Sequence, residues 1–363
     1  MKFNPPVCLA VFAIVAASCN SKPSSKGSGT PERTVFFDKS GMDTTVRPGD
    51  DFFQYANGKW VKETKIPASQ SLWGSFVTLN DENVKNLHGI LDSLKSASST
   101  SGSKEQKIGD LYASGMDTVA IDKKGYQPVK PELDKIAAVK DAQQLVDLCA
   151  EGYKNGNGYL FGFGVGPDDR NSNKNLVSFS QTGLGLPNRD YYFKTDSASV
   201  KIRAEYVKYI AKLFTLTGTN AANATKNAEG ILKLETAIAQ SHSTPNELRD
   251  PVKNYHKYAV ADLQKQSPGI DLNATFSRMG FKTDTILVGQ PKYFIALSTL
   301  LKSQPVELWK TKLQFMALNK YANYLSKPFE EAHFDFYGKI LYGQKQQKER
   351  WKRMTQEVDG DLG

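Results

Sequence analysis

Residues 181–193 read QTGLGLPNRDYYF, and the fold is decided there. Upstream, residues 159–165 and 176–180 are short runs of strand character. Downstream, an amphipathic helix is expected from Ser197, with Ile202, Tyr206, Ile210 and Phe214 on one stripe. Gly183 and Gly185 admit backbone angles closed to other residues. Pro187 ends the strand pattern, and Asn188 or Asp190 can cap the helical segment beyond it. On physics alone the stretch is a junction from strand to helix.

The rest of the chain is read outward from that junction. Towards the N-terminus, residues 167–173 are a cluster of turn formers, so 159–180 reads as a β-hairpin. A hairpin tip accounts for Asp168 and Asp169, whose spacing does not make a calcium loop. Gly162, Gly164 and Gly166 run into a hairpin, whereas a phosphate-binding loop opens a helix. Residues 104–114 and 142–154 read as helices, as does a segment opened by Asp81 with Val84, Leu87, Leu91 and Leu94 on one face. In residues 47–60, RPGDDFFQYANGKW, Asp50 is expected to cap a short aromatic core helix that Asn57-Gly58 ends. Beyond Ser197 the pattern is helical almost throughout. Ile231, Leu234 and Ile238 form one stripe, Trp309, Leu313 and Met316 another, and residues 329–341 a weaker segment. The expected class is mostly α: a multihelical domain with one small β-hairpin.

With 363 residues, 39% hydrophobic and 23% charged, the chain can bury a core, and wholesale disorder is excluded. The formal net charge is +9, but the basic residues are scattered, which argues for a solvated basic surface and against nucleic acid as a partner. Lys2 followed by an apolar run over residues 7–17 reads as an export signal, too short for a permanent span. Ala16-Ala17-Ser18 before Cys19 resembles a bacterial lipobox, with Ala16 in place of the usual leucine. Residues 1–18 are therefore expected to be a signal peptide. Cys19 is the expected lipid attachment site, and residues 19–40, rich in Ser, Lys, Gly and Pro, a flexible tether. Ordinary secretion is the alternative. Cys8 leaves with the signal, so Cys149 has no disulfide partner and reads as a buried apolar residue.

Several long words in this chain occur together and in order. They are PGDDFFQYANGKW (48–60) with Ile66-Pro67, GLGLPNRDYY (183–192), PNELRDPVKNY (245–255) and LYGQKQQKERWKRMTQEVDGDLG (341–363). Together they resemble the N-terminal half of the neprilysin family of zinc metallopeptidases. The resemblance implies that residues 41–363 form the helical cap lobe of a two-lobed gluzincin, which encloses a peptide-admitting chamber with a catalytic lobe. In that family an HExxH helix and a later carboxylate hold one zinc ion, and the glutamate deprotonates zinc-bound water. Here the histidines are His88, His242, His256 and His333; none is followed by glutamate, and none has a partner four residues away. Each is expected in a surface or capping role, and no catalytic or metal-binding residue is assigned. The zinc of the full-length family is not expected to bind this chain.

The resemblance implies further expectations. Relatives continue beyond the segment matching 361–363, so a catalytic half is expected from the same or an adjacent gene. In neprilysin, an arginine and an aspartate in the segment matching residues 71–77 hold a peptide's free carboxylate. Here they fall on Leu72 and Val77, an apolar pair that cannot anchor a carboxylate. Trp73 and Phe76 are the candidate substrate-binding residues, and cleavage within longer peptides is implied. The expected protein is the N-terminal portion of a zinc metalloendopeptidase, lipid-anchored in a bacterial cell envelope or secreted. Its expected partners are peptide substrates, the catalytic half and, through the lipid, a membrane. The alternative is a non-catalytic peptide- or partner-binding lipoprotein that retains only the cap.

Overall fold

The computed structural model describes residues 39–96 and 99–362. The expected signal, Cys8, Cys19 and nearly all of the tether lie outside the described residues. The chain divides into two compact units, one through Lys65 and the other from Ile66.

In the first unit, helix α1 (Phe52–Glu63) is capped by Asp51, whose carboxylate accepts from Gln54 N–H at 2.9 Å; Asp50 does not take this role. The helix runs through Asn57 and Gly58 without stopping. Gly58 serves close approach instead, since a Cβ there would lie 2.9 Å from that of Asp43. Asp43 accepts from Lys62 Nζ at 2.5 Å and from Thr45, which draws its carboxyl down to about 2. The aromatic residues of α1 are not core: Phe52 and Phe53 are well exposed.

The second unit is built from helices α2 (Ser75–Ser96), α3 (Lys104–Met116), α4 (Thr118–Lys124), α5 (Lys130–Ala138), α6 (Ala142–Gly152), α7 (Asp190–Phe193), α8 (Ser197–Leu216) and α9 (Ala221–Ala239). There follow α10 (Val260–Gln266), α11 (Leu272–Met279), α12 (Pro291–Ser303), α13 (Val306–Tyr321), α14 (Lys327–His333) and α15 (Arg350–Leu362), with a π-helix at Phe334–Leu341. Their starts follow local chemistry: Ser103, Asp117, Asp141, Asp196, Asn220 and Asp271 each accept a hydrogen bond from an N–H in the first turn. Helices α8, α9 and α13 pack together and bury Tyr206, Ile210, Leu213, Ile231, Leu234, Trp309 and Leu313 in the main core. A smaller cluster of Leu91, Tyr112, Met354 and Val358 joins α2, α3 and α15.

The hairpin is present, as β1 (Gly162–Asp168) and β2 (Asn171–Ser180), but it belongs to a larger sheet. With β3 (Lys257–Ala259) and β4 (Thr285–Val288) it forms four strands in the order β1-β2-β4-β3. β2 pairs antiparallel with β1 and parallel with β4, which pairs antiparallel with β3. Phe161, Phe179, Phe276 and Phe294 fill the contact between sheet and helices, with the Phe179 and Phe294 rings stacked 5.6 Å apart. Two boundaries also move. α2 begins at Ser75, ahead of Asp81, and the hairpin tip narrows to the turn between Asp168 and Asn171.

Candidate functional site

The junction at residues 181–193 lies over a buried ion pair. Glu235 on α9 has no exposed surface; its Oε1 accepts from Lys312 Nζ on α13 at 2.7 Å. Its Oε2 accepts from Tyr192 Oη at 2.7 Å, Tyr206 Oη at 3.0 Å and Gly185 N–H at 3.3 Å. Burial, and then the neighbouring carboxylate, push both phenols well above their ordinary range, so they remain donors. Tyr192 Oη in turn accepts from Leu186 N–H at 3.1 Å, and Tyr337 Oη on the π-helix donates to Gly185 carbonyl at 3.0 Å. Gly185 is therefore held on both sides of its backbone. Its φ is not the reason for glycine there: a Cβ would sit 1.8 Å from Tyr206 Oη. Gly183 is the residue that needs the left-handed region, at φ 89°. Asn188 Oδ1 accepts from Asp190 N–H, and Asp196 caps α8.

This cluster is a structural peg. Glu235 has four donors and no exposure, so it is saturated and cannot serve as a general base. The sequence signal for it was a glutamate inside the Ile231-Leu234-Ile238 stripe and a lysine between Trp309 and Leu313. The final word of the sequence behaves similarly. Arg350 and Arg353 donate to the two oxygens of Glu330 at 2.7 and 2.6 Å, and Trp351 stacks on His88 at 4.2 Å. These contacts fasten α15 to α14 and α2.

The histidines depart from a surface role. His242 is buried against Tyr293, its Nε2 is 3.2 Å from Thr182 carbonyl, and burial lowers its pKa to about 4. It is thus neutral near pH 7, with Nε2–H as the donor. Burial also lowers His333 to about 4. His88 lies between Tyr112 and Asp92, and His256 Nδ1 is 3.2 Å from Val288 carbonyl. Cys149 is buried, as expected, and burial pushes its thiol up. Among the described residues, no group of three or more His, Cys, Asp or Glu is placed to hold a metal ion. Nor is any helix among them long and apolar enough to cross a membrane.

The candidate substrate residues sit where the chain enters α2. Gly74 carbonyl accepts from Thr78 N–H and Oγ1 as the helix begins. Phe76, on the first turn, is 90% exposed, and Leu72 and Leu79 are also exposed, while Trp73 is half-buried. The segment presents an apolar surface, and the uncharged Leu72 offers a carboxylate nothing.

The chain is thus a helical body with one small four-stranded sheet, fastened at the junction by the Glu235 cluster. Residues 48–363 match Peptidase family M13, and the chain belongs to that family. Over 378 residues it is 28% identical to endothelin-converting enzyme 1 of Rattus norvegicus, covering 99% of this chain and 46% of that protein. The endothelin-converting enzyme homolog of Locusta migratoria is 27% identical over 345 residues, covering 89% and 47% respectively. Among solved structures, the Mycobacterium tuberculosis zinc metalloprotease Zmp1 in complex with inhibitor superposes with TM-score 0.83 at 32% identity, covering 90% of this chain and 50% of that one. PepO from Lactobacillus rhamnosis shares the fold, with TM-score 0.72 at 16% identity over 87% of this chain. The chain spans about half the length of these relatives.

Proposed function

We propose that this chain is the N-terminal portion of a zinc-dependent endopeptidase and supplies the cap of its substrate chamber. The observation that carries this reading is the match to Zmp1, at TM-score 0.83 over 90% of this chain but 50% of that one. The zinc ligands and the general base belong, on this reading, to a catalytic half outside these residues. Phe52 and Phe53 on α1, and Phe76 and Leu79 on α2, support it as apolar surface left uncovered. Trp73 and Phe76 contact substrate in the assembled enzyme. Leu72 and Val77, lacking charge, favour cleavage within peptides over trimming near a free carboxylate. The protein works in a bacterial envelope, held by lipid on Cys19 or released.

The test is to read the coding DNA past the codon for Gly363 and to express what it encodes together with this chain. An in-frame or adjacent HExxH, with chelator-sensitive peptide cleavage appearing only when both parts are present, is the expected result. A stop codon with no such neighbour overturns the peptidase reading in favour of a peptide- or partner-binding lipoprotein.

A further inference from the structure

The outer edge of β1 is free in a short, defined window. β1 ends the sheet, with no partner on its far side among the described residues. Its neighbours determine which of its backbone groups are free. Phe179 carbonyl accepts from Gly289 N–H at 2.8 Å, so Phe179 points its backbone towards β4, and Ser178 and Ser180 point theirs towards β1. Their partners Gly164 and Gly162 therefore spend their N–H and C=O groups on β2. Phe161, Phe163 and Val165, on the opposite parity, turn theirs outwards. Phe161 confirms the parity: its N–H donates to Tyr153 Oη at 3.0 Å, and the same hydroxyl donates to its carbonyl. Tyr153 thus closes one end of the edge, and Pro167, lacking an N–H, closes the other. Between them, Phe163 and Val165 offer two donors and two acceptors.

The side chains flanking this window suit an added strand. Val165 is 61% exposed and Phe163 partly so. On the other face, Gly164 and Gly166 carry no side chain, and a Cβ there would meet only Ser178 Oγ or nothing. Glycines on an edge allow another backbone to come close.

We infer that the Phe163–Val165 edge of β1 binds an extended peptide segment by strand addition, pairing with its backbone and not with particular side chains. The occupant is a short extended peptide: Tyr153 and Pro167 confine pairing to Phe163–Val165, a length that suits a single added segment, whereas a stable dimer of folded chains buries on the order of 1,000 Å² or more. The inference takes its occupant from the proposed peptidase reading. Its test needs neither zinc nor hydrolysis, so its failure leaves that reading standing.

The test is fluorescence anisotropy of the whole chain with a fluorescein-labelled heptapeptide, Lys-Thr-Val-Thr-Val-Thr-Lys, and with the same peptide N-methylated at every interior amide. The unmodified probe is expected to bind, and the methylated one at least tenfold more weakly. Val165→Pro removes an outward N–H that the ladder does not use, and should weaken binding about tenfold, while Val165→Thr stays within about twofold. Equal binding of both probes, or no binding of either, overturns the inference whatever Val165→Pro does to folding. So does sedimentation showing a dimer of the chain that Val165→Pro abolishes, because the edge then belongs to a second copy.

Discussion

Lys312→Met removes the cation from the buried pair and leaves Glu235 charged at the bottom of the core. Breaking a buried pair by losing one partner costs about 3–5 kcal/mol. Three donors to Glu235 survive, from Tyr192, Tyr206 and Gly185, so the cost belongs at the lower end, about 3 kcal/mol. Glu235→Gln is worse, about 4–5 kcal/mol, because Lys312 keeps its charge with no anion. The double variant Glu235→Gln/Lys312→Met removes both charges and leaves an amide oxygen for the tyrosines. It should be more stable than the summed singles by about 2 kcal/mol. Guanidinium unfolding followed by circular dichroism reads this out. At a slope of about 5 kcal/mol per molar, a 3 kcal/mol loss moves the midpoint by roughly 0.6 M. Hydrogen exchange at the Gly185 and Leu186 amides should accelerate in both single variants, since both report on the peg. Singles within about 0.5 kcal/mol of the parent, or a strictly additive double, would mean that Glu235 and Lys312 are not coupled.

Gly185→Ala should destabilise by about 1–3 kcal/mol through the collision with Tyr206 Oη, and Tyr206→Phe in that background should restore part of the loss by calorimetry. Stability should fall with pH from about 6.5 towards about 4. There the unfolded chain protonates His242 and His333 while the folded chain, with both lowered to about 4, does not. Each ring contributes a slope of up to about 1.4 kcal/mol per pH unit, and His242→Gln should flatten the measured slope accordingly. Cys149 should resist alkylation in the folded chain and react on unfolding, as mass mapping of its peptide will show.

The helices and the hairpin were legible in the sequence because their signals are local. The apolar stripes of α8 and α9 repeat at helical spacing, and a cluster of turn formers marks the hairpin tip. β4 was not legible: its four residues take strand form through parallel pairing with β2, more than a hundred residues away. β3 is shorter still. The exposure of Phe52 and Phe53 was missed because an aromatic helix reads the same whether it packs within its own unit or faces outwards. The peg beneath the junction was missed because Glu235 and Lys312 meet only once α9 and α13 pack. Trp73 and Phe76 rest on family resemblance, and the structure adds that Phe76 projects from the first turn of α2.

Metal analysis of the purified chain, coupled to a quenched-fluorescent peptide assay with and without chelator, bears most directly on a cap lobe whose zinc site lies elsewhere. Substoichiometric zinc and no chelator-sensitive cleavage by this chain alone are expected. One zinc ion per chain, with hydrolysis that a chelator abolishes, would contradict that placement.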